Sequence, residues 1–307
     1  MRILMVSAVM AATLALPVGA IAEPPKAAPP PATIAEPSDE LRLCLAKVGV
    51  TPSQKLSACT VVIEQSATPA QQRVRALIAR GMIFFPNPPD VDHAVKDFDQ
   101  AILLSPNNGA LFDLRALTYV TKEQYDRAIQ DYDEEIRLDP KDPTALVNRG
   151  DAYRAKGQYD RAIRDLDQAI AISPNLVTAF LSRAFAYRDK AEWDFDAYLY
   201  EGRYEDLAIQ DCDQALRLDP TNRGALSERG HLHVIRRQYD RALADYGEAI
   251  RLAPTDAIPL RNRGDLFRIT GQYARAIADY RAVLNLKLVD SFRKLVEKSI
   301  RELGGNV

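Results

Sequence analysis

Asn148-Arg149-Gly150-Asp151-Ala152-Tyr153, followed by Gly157-Gln158-Tyr159-Asp160-Arg161-Ala162 and closed by Pro174, is one copy of a unit that recurs along this 307-residue chain. Pro106, Pro140, Pro174, Pro220 and Pro254 mark the copies and lie 34, 34, 46 and 34 residues apart. Self-similarity at such a period predicts stacked helical units, each too small to bury its own apolar face. Aligned on the prolines, one alanine recurs as Ala94, Ala128, Ala162, Ala208, Ala242 and Ala276. A small residue recurs as Gly81, Ala116, Gly150, Ala184, Gly230 and Gly264, and small side chains at both places let two helices approach closely. Three residues further on stands a ring (Phe84, Tyr119, Tyr153, Tyr187, His233, Phe267), expected to fill the space between hairpins. The proline then ends the second helix, because it lacks a backbone N–H and disfavours helical geometry in the residue before it.

This motif resembles the tetratricopeptide repeat, and six copies span residues 67–288. The resemblance implies an all-α fold, a right-handed superhelical solenoid of helix-turn-helix hairpins that gain stability by stacking on their neighbours. Residues 38–66 read as a degenerate N-terminal hairpin and residues 289–307 as a C-terminal capping helix and tail. The chain departs from the family pattern where tryptophan is usual, carrying Leu77, Phe112, Leu146, Phe180, Leu226 and Leu260 instead. These are still large apolar plugs.

A second departure is electrical. Where the family usually has leucine, all six copies carry arginine: Arg80, Arg115, Arg149, Arg183, Arg229 and Arg263. A position on the other helix is aspartate in all six: Asp97, Asp131, Asp165, Asp211, Asp245 and Asp279. An arginine between packed helices is expensive unless acceptors satisfy it. Each arginine is therefore expected to pair with an aspartate of its own or an adjacent repeat, as a structural ion pair. The competing reading is a basic track for an acidic or phosphorylated ligand, which would not require the matching aspartates.

The resemblance also implies that partners touch the exposed face of the first helices, along a concave groove. The corresponding positions include Leu117, then Val147, Asp151 and Arg154, then Phe185 and Arg188, then His231, and finally Arg268. Apolar residues dominate the first half and arginines the end, which suits an amphipathic helix or an extended peptide with an acidic end. The lysine and asparagine set with which some family members grip a chaperone's terminal carboxylate is not supplied. The 46-residue spacing marks an insertion at residues 190–201, with the chain's one tryptophan, Trp193, and Tyr198. These rings either form an interaction patch or pack inside a lengthened hairpin.

The chain opens with Met1 and Arg2, an apolar run over residues 3–16, and Ala20-Ile21-Ala22 before Glu23, the pattern of a cleavable secretory signal peptide at residues 1–22. The run is shorter than the ~20 residues that span a bilayer. A Pro/Ala-rich linker at residues 23–37 follows, and a periplasmic or secreted location is expected, with no membrane insertion after cleavage. In an oxidising compartment Cys44 and Cys59, on either side of a turn signal at Thr51-Pro52-Ser53, are expected to form a disulfide, leaving Cys212 as a small core residue. Three free buried thiols are the alternative. The net charge of −2, with both signs interleaved, makes no case for nucleic acid. His93, His231 and His233 are the only imidazoles, and His231 and His233, two apart on a helix, point to different faces and make a poor metal pair. No phosphate loop, nucleophile elbow or zinc motif is present. The expected product is a non-catalytic scaffold for protein or peptide partners, without cofactor or metal; a structural or self-assembling subunit of an envelope complex is the alternative.

Overall fold

The computed structural model describes residues 38–85, 90–193, 202–286 and 290–306. The expected signal peptide, the linker and Tyr198 lie outside these residues. Among those described, fifteen α-helices and no strands occur. Six hairpins carry the repeats: α3 (Ala70–Phe84) with α4 (Val91–Leu104), α5 (Gly109–Thr121) with α6 (Tyr125–Leu138), and α7 (Pro143–Ala155) with α8 (Tyr159–Ile172). They continue as α9 (Val177–Trp193) with α10 (Arg203–Leu218), α11 (Arg223–Ile235) with α12 (Tyr239–Leu252), and α13 (Ala257–Ile269) with α14 (Tyr273–Leu284). The short pair α1 (Asp39–Cys44) and α2 (Pro52–Glu64) precedes them, and α15 (Asp290–Glu302) follows. Each helix packs on its hairpin partner and each second helix on the next first helix, while α7, α9, α11 and α13 also touch in succession. That is a solenoid in which the first helices form one wall.

Local chemistry sets the boundaries. Asp142 and Asp256 accept the backbone N–H two residues on, at 2.8 and 3.0 Å, and Asn222 accepts from Ala225 at 3.0 Å, capping α7, α13 and α11. Between first and second helix the chain crosses the left-handed region, with Gly157 at φ +72° and Gly271 at φ +76°. Glu123 and Arg237 occupy the same turn at φ 56° without glycine's freedom, so the stacking of the hairpins, more than the residue, imposes this turn.

In three hairpins a glycine makes room for a large ring at the residue after the ladder aspartate. A β-carbon built on Gly81, Gly230 or Gly264 would lie 2.7–2.8 Å from the ring of Phe98, Tyr246 or Tyr280. Where the facing residue shrinks to Cys212, an alanine, Ala184, fits beside it in the same core. Burial pushes the Cys212 thiol well above its usual range, consistent with a packing role.

At the ends, Cys44 and Cys59 are joined, with Cα atoms 4.8 Å apart, inside a core completed by Leu41, Val62 and Ala76. Helix α15 buries Val296 and Ile300 against Tyr280 and Val283 of the last repeat. The insertion lengthens α9 to 17 residues and α10 to 16, against 13 in α7 and 14 in α8. Trp193, at the end of α9, stays 72 % exposed, so its ring does not pack within the hairpin.

Candidate functional site

The arginine positions meet carboxylates in every repeat. From Nε and Nη2, Arg80 donates to both oxygens of Asp97 at 2.9 and 2.7 Å, Arg115 to Asp131 at 2.9 and 2.6 Å, and Arg149 to Asp165 at 2.7 and 2.8 Å. Arg183 holds Asp211 at 2.8 and 2.7 Å, Arg229 holds Asp245 at 3.0 and 2.6 Å, and Arg263 holds Asp279 at 2.8 Å twice. The remaining nitrogen, Nη1, reaches back to the preceding hairpin: Arg115 to Asp99 and Arg149 to Asp133 at 2.6 Å, Arg183 to Asp167 at 2.5 Å, and Arg229 to Asp213 at 2.7 Å. Arg80 finds Thr60 Oγ1 of α2 there instead, at 3.0 Å. Burial raises the carboxyls of Asp131 and Asp211 while the arginines pull them down, and the same bonds raise the guanidinium groups of Arg115 and Arg183 against their own burial. One guanidinium thus ties two hairpins together through a fork geometry that lysine lacks. These cations are occupied within the protein and form no free track.

The second aspartate series, Asp99, Asp133, Asp167 and Asp213, was not anticipated above. Its signal was present: each stands two residues after the first aspartate, in the stretches Asp97-Phe98-Asp99 and Asp131-Tyr132-Asp133 and onward at the same period. In the fifth repeat the place falls to Gly247, and Arg263 has no bond of this kind. A β-carbon there would meet nothing within 4 Å. Gly247→Asp is expected to complete the set and remove a helix-interior glycine, raising stability by about 1 kcal/mol. The check is a higher urea midpoint at unchanged slope.

On the wall of first helices a second seam runs lengthwise. Asn148 donates to Asp113 at 3.0 Å, Ser182 to Asp151 at 3.0 Å, Arg154 to Asp189 at 2.7 Å and Arg188 to Glu228 at 2.6 Å. Each bond joins adjacent first helices. Phe185 is held between two guanidinium groups, with Arg154 and Arg188 Cζ at 5.6 and 5.2 Å from its ring centre. Beyond it the wall opens into a cavity of about 390 Å³ across α9, α11 and α13, lined by Phe185, Arg188, Arg223, Ser227, Glu228, His231, Ile258, Arg261 and Asn262 among others. A neighbouring cavity of about 240 Å³ shares His231, Arg261 and Asn262 and continues to Arg268.

The residues placed on this face by sequence therefore divide. Phe185, Arg188 and His231 line the larger cavity and Arg268 the smaller; Asp151 and Arg154 belong to the seam; Leu117 is half-buried. Val147 is a correction. It is only 6 % exposed, because stacking of adjacent hairpins closes over it within the core around Leu146 and Tyr153, and it cannot meet a partner. Glu228 and Ile258 were missed. The available signal for Glu228 was a register position that is apolar at Ala79 and Leu114 but polar from Asn148 onward, at Ser182, Glu228 and Asn262. Burial lowers the pKa of both His231 and His233; His233 is buried, with Nε2 3.8 Å from Asp245. Among the described residues no three His, Cys, Asp or Glu converge as metal ligands, and no helix is long and apolar enough to cross a membrane.

A stack of helical hairpins with one open, grooved wall defines a repeat protein of the α-solenoid class. Family models of the tetratricopeptide repeat match residues 116–153, 150–190 and 227–287. The chain carries tetratricopeptide repeats over these residues. A tetratricopeptide repeat protein of Parabacteroides merdae is similar in structure, with a TM-score of 0.65 at 18 % identity over 81 % of this chain and 91 % of that one. A thermophilic repeat protein of Thermus thermophilus gives 0.57 at 18 % identity, covering 63 % and 100 %, and pilF of Pseudomonas aeruginosa gives 0.55 at 15 %, covering 75 % and 98 %. At such identities the likeness is one of fold. No curated protein matches the sequence. Repeats of this family generally mediate protein–protein interaction and are typically non-catalytic.

Proposed function

We propose that this chain is an exported, non-catalytic scaffold that holds a protein or peptide partner on the wall of first helices, chiefly across α9, α11 and α13. The observation that carries the reading is the cavity spanning those three helices, with Ile258 58 % exposed and Phe185 fixed beside it. An aromatic ring immobilised by its neighbours loses little entropy on contact, and rings and arginines are the residues that anchor interfaces. A groove continuous with a polar seam fits an extended segment better than a compact small molecule. Export is supported by the pattern of residues 1–22 and by the Cys44–Cys59 bridge, since such bridges persist in oxidising compartments.

Affinity capture from an envelope extract, read by mass spectrometry, tests this with the wild-type chain and Ile258→Glu. Because Ile258 is exposed, the variant is expected to melt within about 1 °C of wild type. Its captured partners should fall at least tenfold. Equal capture by both proteins would count against the groove.

Self-assembly has one observation in its favour, the exposed Trp193 at the end of α9. Sedimentation separates the two: the scaffold reading expects a monomer that Trp193→Ala leaves unchanged, and the assembly reading expects an oligomer that it dissolves.

A further inference from the structure

The larger and the smaller cavity are two stations of one channel between α11 and α13. The larger follows the N-terminal halves of both helices, from Arg223 to His231 and from Asp256 to Asn262. The smaller follows their C-terminal halves, from His231 to Val234 and from Arg261 to Ile269. On either helix the centres of the two linings stand about six residues apart, which is about 9 Å along the axis. Each station has an exposed apolar side chain of α13 at its edge, Ile258 at 58 % and Ile269 at 54 %. Phe185 backs the first, and Val234 and Leu266 back the second.

The charges along the channel do not balance. Arg188 is spent, with two bonds to Asp189 and one to Glu228. Arg223, Arg261 and Arg268 then share two carboxylates: Arg223 stands 3.6 Å from Asp256, while Arg261 and Arg268 stand 3.7 and 3.8 Å from the same Asp265. None of these approaches is a hydrogen bond. Both carboxylates are already engaged, Asp256 by the backbone N–H of Ile258 at 3.0 Å and Asp265 by the Tyr280 hydroxyl at 2.6 Å. Burial lowers the pKa of His231, so it adds no charge at neutral pH. The side chains of Arg223, Arg261 and Arg268 are 52, 36 and 44 % exposed, so an incoming group can reach them. Arg261 belongs to both linings, and the Phe292 ring of α15 backs it at 5.7 Å from Cζ. The surplus is one positive charge, and it falls between the two stations.

A ligand that fits brings two apolar side chains spaced like the cavities, with one carboxylate between them. On an extended strand the side chains of one face recur at about 7 Å and then at about 14 Å. A polyproline helix meets the spacing at every third residue, about 9 Å, but puts nothing between on that face. An α-helix sets residues i and i+7 on one face at about 10 Å, with i+3 and i+4 halfway. We propose that the channel between α11 and α13 binds an amphipathic α-helix of a partner protein, with apolar residues seven apart in the two cavities and an aspartate or glutamate midway on Arg261. The proposal rests on the groove reading and adds to it the partner's conformation and register.

A phage-displayed library of alanine-rich helical peptides, randomised at nine consecutive positions and selected on the full-length chain, supplies the probes. Selected sequences are expected to share apolar residues seven apart, with an acid three or four places after the first. In the tightest peptide, changing that acid to its amide should weaken Kd about tenfold by titration calorimetry, the loss of one hydrogen bond to a charged group. The same change should cost less than twofold on Arg261→Met, because the group it addressed is gone. A proline at the centre of the peptide should abolish binding, since it breaks the helix. The peptide-side changes keep the test open should Arg261→Met fold poorly. Some binders would be abolished by Ile258→Glu and yet share no acid, survive the central proline, or lose as much from the acid's removal on Arg261→Met as on wild type. Any of these results overturns the helix and leaves the groove standing. A selection that yields no binder overturns both.

Discussion

Arg149→Leu is expected to cost about 3–5 kcal/mol, although leucine is the residue most repeats of this family place there. The loss falls on what remains. Asp165 is 7 % exposed and takes both of its arginine bonds from Arg149, so the variant leaves a carboxylate stranded between two helices. It also severs the bond from Nη1 to Asp133, and with it a tie between successive hairpins. Asp165→Asn should cost much less, about 1–2 kcal/mol, because Arg149 keeps Asp133 and a neutral acceptor. The double variant Arg149→Leu/Asp165→Leu should recover most of the deficit, since a buried pair only about breaks even against apolar packing. Urea denaturation of the four proteins measures these costs. Equal costs for Arg149→Leu and Asp165→Asn would mean that the pair is not desolvated as described.

The second large effect is expected at the N-terminal end. Helix α1 has six residues, too few to persist alone, and among the described residues it packs on α2 and α3. The Cys44–Cys59 bridge closes a loop across 15 residues, which in the loop-entropy model limits the unfolded chain by about 3 kcal/mol. Reduction, or Cys44→Ala with Cys59→Ala, should release α1 and α2 while the six repeats remain. Amide hydrogen exchange checks it: protection should drop over residues 39–64 and hold beyond α4. Uniform loss along the chain would show that the end hairpin is not an independent cap.

These expectations differ in how far the sequence could reach them. The solenoid was legible because proline, glycine and alanine recur at one period and each has a single steric meaning at its place. The arginine–aspartate pairing was legible for a related reason, since a charge standing where an apolar residue belongs needs a counter-charge nearby. The partner of Nη1 was not, because Asp99 and its equivalents lie on the preceding hairpin, and reading them requires the angle at which one hairpin meets the next. The groove was legible as a list of positions but not as a surface. Val147 and Ser227 occupy the same place in their repeats, yet stacking buries the first and leaves the second at a cavity. Glu228 shows the same limit: its register position lies against the neighbouring first helix, and only the packing of α9 on α11 brings it to Arg188.

Whether the cavity across α9, α11 and α13 receives a partner is the question on which the functional account stands. Hydrogen–deuterium exchange of the chain with and without its captured partner answers it most directly. Protection should rise along α9, α11 and α13 and remain unchanged on α10, α12 and α14. Protection confined to the second helices, or to the end of α9 around Trp193, would place the partner elsewhere and contradict the account.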